Sequence, residues 1–450
     1  MGATPPPRAS GWLFFRGTRP ARDRRAPDGV AEGFREPEDA RVLRPGGGKG
    51  EKGAARRPLY SSMPRAQIGV GLVGAGFLAE TRARCYARVA GVDARLAAVV
   101  ARRPERARAF AGRHGVARAT RSLDELLGMD EVDVVDLCVP NLLHREMAEA
   151  AARAGKHVIC TKPLTAYVGQ DLGGDATDED VSSTSRAKML EVATADAEAM
   201  VRAAREAGVR LFYGENWIYS PAVQRAARLL AASGGAVLEM RGWECHNGSH
   251  SEYSKLWRYT GGGALIRLGA HPIGAMLYLQ RLQGARPVSV TAEVGDLTRA
   301  VGDRECFVAR GWKDVENWGC AILAFDDGSR GVAHGSDNLL GGMESKLEVL
   351  ASNCHLKCNL SPSDVLRAYA PAPEVFADEY LMEKLDTKAG WSTPMPDEDW
   401  TSGHLPMCAA FLRAIAEGGE AESDGELGLE VTRVVYAAYL AAAEGRRVEL

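Results

Sequence analysis

The sequence predicts an α/β protein that opens with a doubly wound parallel sheet, and three observations carry that expectation. Short apolar runs at 68–73, 96–100, 132–139 and 157–160 read as buried strands. Helical stretches separate them. Ser122 to Glu125 fits a capping box before Leu123, Leu126 and Leu127, Pro104 opens a basic, Ala-rich helix, and Gly155 stops a helix over 143–154. Strands alternating with helices at this spacing give right-handed crossovers and a parallel sheet. Third, a glycine turn joins the first strand to a helix over 77–89.

That turn organises the chain. Gly74, Ala75, Gly76, Phe77, Leu78 and Ala79 fit G-x-G-x-x-G/A. Gly74 allows the tight turn, Gly76 lets backbone approach a pyrophosphate, and Ala79 lets helix pack close to strand. The phosphates would meet the free N–H groups of the helix N-terminus. Glycines also make plain turns; the strand–turn–helix setting favours a dinucleotide. An NAD site has an acidic residue at the end of the second strand. Here stand Ala101, Arg102 and Arg103. Two guanidiniums suit a 2′-phosphate, so NADP is preferred over NAD; the bland alternative is a solvated basic helix entry. Ligands bind outside the carboxyl ends of parallel strands, which directs Pro140, Asn141, His144 and Lys162 toward the crevice.

At 450 residues the chain allows two or three domains, and a formal net charge of -3 argues neither for nucleic acid nor for an acidic surface, so no nucleic-acid partner is assigned. Nine cysteines without a CxxC pair point to reduced thiols in a cytoplasmic protein, with no zinc framework. No apolar run reaches membrane-spanning length, and no signal-peptide core begins the chain. Residues 1–65 are rich in Pro, Gly and Arg and read as a disordered or mis-called extension, with Met63 as an alternative start.

GAGFLA, then VDVVDLCVPNLLH, then AGKHVICTKPL resemble the glucose–fructose oxidoreductase, inositol dehydrogenase and rhizopine-catabolism (Gfo/Idh/MocA) family, from about Gln67 to Leu450. The resemblance implies an N-terminal Rossmann domain over 66–215. It also implies a C-terminal α+β domain over 216–450 with a large open, mostly antiparallel sheet. It further implies oxidation or reduction of a secondary alcohol of a sugar, sugar acid or cyclitol with NAD(P). Thr161 replaces the glutamate of the family's EKP motif, whereas Lys162 and Pro163 match; Lys162 is then the catalytic, substrate-orienting cation and also touches the cofactor. Residues 167–190 depart from the family as an insertion, read as either a surface excursion or a lid beside Lys162. Its Asp175, Asp178, Glu179 and Asp180 lack the full spacing of a calcium loop.

After a strand at 209–213, GENWIYSP resembles the family's crossing into the substrate domain, which places Asn216 and Tyr219 at the substrate pocket. A strand over 237–244 leads into CHNGSHSEYSKLWR. Glu244 and His246 read as polar pocket residues, with Trp257 and Tyr253 as an aromatic platform for a sugar. A metal held by His246, His250 and Glu244 or Glu252 lacks signature spacing, so no metal is assigned. GGGALIRLGAHPIG, 261–274, resembles the family's GGGxLxDxGxHxxD. His271 matches its catalytic histidine, the base that takes the hydroxyl proton. Arg267 and Gly274 stand where the family has Asp. A cation at 267 should lower the pKa of a nearby histidine and offers a bidentate site for an anionic substrate group. Strands at 288–294, 318–325, 331–336, 346–350 and 354–359 would build the second sheet. Such sheets pair face to face, so a homodimer or homotetramer is expected.

The resemblance, with these residues, leaves three functions. The favoured one is an NAD(P)-dependent sugar or cyclitol dehydrogenase using Lys162 and His271. The second is a redox-neutral glycosidase acting by transient C3 oxidation and elimination. The third is a silent binding protein, for which Arg267 is the main support.

Overall fold

Six strands form the first sheet: β1 (Ile68–Val73), β2 (Ala94–Val100), β3 (Arg118–Thr120), β4 (Val134–Leu137), β5 (His157–Thr161) and β6 (Leu211–Gly214). In the computed structural model, which describes residues 67–249, 252–361 and 366–450, they run parallel in the order β3-β2-β1-β4-β5-β6. The extension at 1–65 and His250 lie outside the described residues. Every residue of β1 and β4 is buried, because helices cover both faces; hence the uninterrupted apolar character of β1, while β4 carries one buried acid, Asp136. The order reverses between β1 and β4, which opens a crevice at their carboxyl ends.

The first sheet's helices are α1 (Phe77–Tyr86), α2 (Pro104–His114), α3 (Leu123–Leu127) and α4 (His144–Arg153). Ser122 caps α3 by accepting from the Glu125 amide, and Gly115 ends α2 in the left-handed region. Gly74 has φ of 115°, and a Cβ there would lie 2.3 Å from the Cys138 carbonyl oxygen, so only glycine fits this turn. Beneath α1, Arg82 Nε lies 3.4 Å from Asp136 Oδ2 on β4, both wholly buried, and Tyr86 donates a 2.7 Å hydrogen bond to the same carboxylate. Removing one partner strands a buried charge. Arg82→Met is therefore expected to cost about 3–5 kcal/mol in denaturant unfolding, with much of the loss recovered in Arg82→Met/Asp136→Leu.

The insertion is more ordered than a loop. It holds α5 (Asp178–Ser183) and the first turn of α6 (Arg186–Glu206). Asp180 completes a capping box with Thr177, and Asp178 lies 2.6 Å from Arg258, which accounts for two of its acidic residues. The Tyr167 carbonyl accepts from Trp257 Nε1 at 3.1 Å, and the Arg186 guanidinium sits 4.0 Å over that indole.

Past α7 (Asn216–Tyr219) and α8 (Pro221–Ser233) come β7 (Val237–His246), α9 (Trp257–Thr260) and α10 (Ala270–Gln283). The strands β8 (Pro287–Gly295), β9 (Trp318–Phe325), β10 (Arg330–Ser336), β11 (Met343–Ala351) and β12 (His355–Asn359) follow. With a last strand at Val448–Glu449 they form a seven-stranded sheet ordered β12-β11-β7-β10-β9-β8 and then the last strand. Only β7 and β10 pair in parallel; the others are antiparallel, as the family resemblance implies. The sheet's α10 face is close-packed: a Cβ at Gly242 would meet Pro272 at 2.6 Å. The one-turn α11 (Glu398–Thr401) precedes the two C-terminal helices, α12 (His404–Glu417) and α13 (Gly425–Glu444).

Candidate active site

Lys162 follows β5, Glu215 follows β6, and His271 is the second residue of α10. These chain positions converge. His271 Nδ1 lies 2.6 Å from Glu215 Oε1, and Glu215 is wholly buried. The backbone amide of Trp217 donates to the same oxygen at 3.1 Å, while its indole stacks on His271 with centroids 5.8 Å apart. Lys162 donates to the Arg267 carbonyl, and its charge is felt by Glu215, Glu244 and His271.

Burial governs the protonation states. It pushes the Glu215 acid up to about 8 against the opposing pull of Lys162. It pushes His271 well below the usual imidazole range, with the Lys162 charge adding to the effect. Lys162 itself is lowered by burial, while Glu215 and Glu244 partly restore it. Glu244, 6 % exposed on β7, is pushed up to about 8 by burial, with Ser345 and Lys162 opposing. An ionised Glu215 holds the proton of His271 on Nδ1 and leaves Nε2 free as a base, the arrangement of an imidazole oriented by a carboxylate.

His271 and Glu244 line a cavity of about 570 Å³ together with Phe77, Asn216, Trp217 and His404 among others, whereas Lys162 and Glu215 are not part of that lining. His404 begins α12 and is held far below its usual pKa, first by burial and then by Arg82, His271 and Lys162. A second cavity of about 720 Å³ is lined by Gly74, Ala75, Gly76, Arg102, Arg103 and Pro140. Arg106 and Arg121 line it too, as do Tyr253 and Tyr259. The chain's residues fit a dinucleotide there. Gly76 has open space where a Cβ would stand, and α1 starts without a side-chain cap, leaving its first amides available. Phe77 and Leu78 open that helix, with Phe77 65 % exposed on the substrate side.

Several residues expected at the site lie elsewhere. His144 is wholly buried, with ring nitrogens 3.1 Å from the Pro163 and Leu164 carbonyls and 3.0 Å from that of Val139. It braces the turn after Lys162 instead of facing a cofactor. Asn141 donates to the Thr260 carbonyl at 3.1 Å. Tyr219 is buried, with its hydroxyl accepting from the Ser423 amide at 2.9 Å. Trp257 is buried against Tyr439, and Tyr253 lines the nucleotide-side cavity, so neither supplies the sugar platform. Arg267 pairs with the wholly buried Asp337, which also lies 3.8 Å from His246 Nδ1; Arg267 and His246 sit behind the cavity lining. The bidentate partner that Arg267 could offer a substrate anion is already taken. Among the described residues no group of three or more His, Cys, Asp or Glu is placed to hold a metal ion.

Comparison with known proteins accounts for both halves. The family model described as an oxidoreductase family with an NAD-binding Rossmann fold matches residues 68–172, and the GFO/IDH/MocA C-terminal domain matches residues 223–357. The chain belongs to the Gfo/Idh/MocA family. Over 50% of its length and 60% of the relative's, it is 29% identical to 1,5-anhydro-D-fructose reductase of Ensifer adhaerens. Levoglucosan dehydrogenase of Pseudarthrobacter phenanthrenivorans is 24% identical over 82% of this chain and 94% of its own. The crystal structure of GenD2 from gentamicin A biosynthesis, in complex with NAD, superposes with a TM-score of 0.69 at 26% identity, covering 85% of this chain and 96% of that one.

Within the Gfo/Idh/MocA pattern, the two departures in the histidine motif have a spatial explanation. A Cβ at Gly274 would lie 3.1 Å from Glu215 Cγ and 3.6 Å from Glu215 Oε2. The glycine leaves room for a glutamate that arrives from the other sheet and reaches His271. Gly274→Asp is expected to displace Glu215 and lower kcat by at least about tenfold, whereas Gly274→Ala, with less to accommodate, should lose less; steady-state kinetics of both variants checks the order.

Proposed function

We propose that this protein is an NAD(P)-dependent dehydrogenase that moves hydride between nicotinamide and a ring secondary alcohol of a sugar or cyclitol. The observation that carries the reading is the 2.6 Å contact of Glu215 with His271 beside Lys162, with His271 lining the same cavity as Phe77, which follows the glycine turn. In the oxidative direction His271 Nε2 takes the carbinol proton, while Glu215 keeps the imidazole in the right tautomer. Lys162 stabilises the negative charge that grows on the carbinol oxygen. The bound dinucleotide supplies the nicotinamide carbon that accepts the hydride. Reduction runs the same groups in reverse, with His271 as acid.

Arg102, Arg103, Arg106 and Arg121 in the lining of the nucleotide cavity support NADP as the preferred cofactor. A charge-assisted hydrogen bond to a 2′-phosphate contributes ~1.5–3 kcal/mol. Arg102→Ala and Arg103→Ala should each raise KM for NADP by roughly 10- to 100-fold and leave KM for NAD within a few-fold. Equal effects on both cofactors would remove the NADP assignment. The overall reading is tested by absorbance at 340 nm with a panel of sugars and cyclitols and both cofactors; it predicts cofactor reduction by at least one polyol. Cofactor binding without turnover of any panel member would overturn it.

A further inference from the structure

The substrate cavity has an unbalanced charge. Glu244, Glu379, Glu383, Asp397, Glu398 and Asp399 line it, while among the described lining residues Arg84 is the only Arg or Lys. Two of these carboxylates are neutralised by arginines in and just after α1: Asp399 by Arg84 at 2.9 Å and Asp397 by Arg88. Glu383 has Lys384 at 3.6 Å, and Glu398 shares a hydrogen bond with Tyr380. Glu244 is different. It is 6 % exposed, one of its oxygens has no hydrogen-bond partner, and it faces the cavity beside Ser345.

These carboxylates also act on one another. The Glu383 charge raises both Glu244 and Glu398, on top of what burial does to each. Buried acids raised in this way hold a proton more tightly unless a cation stands beside them. Lys162, whose charge reaches Glu244, is held at the Arg267 carbonyl, and Arg267 itself is paired with Asp337. The geometry does not suit a metal ion, since no three ligating side chains among the described residues converge on a point. What remains is an organic cation on the molecule that occupies the cavity.

We propose that the alcohol this enzyme oxidises carries an ammonium group, as an amino sugar or aminocyclitol does, lodged between Glu244 and Glu383 while its carbinol faces His271 and Lys162. This deepens the dehydrogenase reading and rests on it for the placing of the carbinol. An ammonium donates to the Glu244 carboxylate, which would repel an anionic sugar acid. A sugar acid is therefore the least suited of the polyols considered.

The test compares matched compounds. D-Glucosamine, 3-amino-3-deoxy-D-glucose and scyllo-inosamine are each set against the hydroxyl parent and the N-acetyl derivative, with D-glucuronate as the anion. Turnover is followed at 340 nm, and affinity by calorimetry with NADPH-loaded protein. At least one amine should exceed its parent and its N-acetyl form by tenfold or more in kcat/KM or in affinity, with glucuronate weakest. Glu244→Gln and, independently, Glu383→Gln should collapse that amine-to-parent ratio. Glu383→Gln keeps the question answerable if the more buried Glu244→Gln fails to fold. If no amine outperforms its parent, or the ratio survives both substitutions, the inference is wrong even when neutral polyols turn over. An amine preference in binding with no turnover would support the cation site and overturn the dehydrogenase reading.

Discussion

Lys162→Ala is expected to lower kcat/KM by on the order of 10³-fold at saturating cofactor. A preorganised donor aimed at developing oxyanion charge contributes about 10²–10³ in kcat in a water-poor site. Lys162 has a second effect, because its charge opposes the rise of Glu215 and depresses His271. Without it the Glu215–His271 pair holds its proton more tightly. The rise of alcohol oxidation with pH should therefore shift to higher pH in the variant, so the loss is greatest near neutrality and shrinks in alkaline buffer. A pH–rate profile for wild type and Lys162→Ala reads both effects. Activity within a few-fold of wild type, with an unmoved profile, would remove Lys162 from the mechanism.

Much of the fold was legible because its signals are local. Strands β1 and β9 match the sequence reading end to end, since each is an apolar run bounded by a turn: the glycine turn after β1, and Asp326, Asp327 and Gly328 after β9. Gly74 was legible for the same reason: its steric demand is written in the residue itself. The aromatic residues were not. Trp257 and Tyr219 sit in polar-looking stretches, and nothing in a sequence separates a sugar platform from a ring buried against Tyr439 or Phe411. His144 misled likewise, because a histidine that braces backbone carbonyls has the same letter as one that binds a ligand.

The least legible feature matters most to the chemistry. Glu215 and His271 are 56 positions apart, one beyond a parallel strand and the other on a helix of the second half. No periodicity connects them. The available signal was negative: Gly274, and Arg267 in place of an acid, declare that the histidine's usual carboxylates are missing. A base needs an orienting partner, so an acid had to arrive from elsewhere, and GENW was the acidic segment nearest the crevice. Arg267 itself has become structural. Its side chain turns to Asp337, and what remains at the site is its carbonyl, which receives Lys162.

Glu215→Gln separates an orienting carboxylate from a merely buried one. The amide keeps the volume and a hydrogen bond to Nδ1, so the fold should survive. It cannot ionise, so it cannot hold the imidazolium that forms when His271 takes the proton. Loss of one such acid–base element typically costs about 10²–10⁴-fold, and a fall in kcat of this order is expected with little change in KM. The pH dependence is the sharper readout. Burial pushes Glu215 up to about 8, and only its ionised form leaves His271 Nε2 free. Wild-type alcohol oxidation should therefore climb as pH rises through about 8, and carbonyl reduction, which needs the protonated pair, should decline over the same interval. In Glu215→Gln that inflection should vanish in both directions, whereas Lys162→Ala only moves it upward. A glutamine variant that keeps the inflection would mean that another group titrates there, and Glu215 would then be no more than packing behind the histidine.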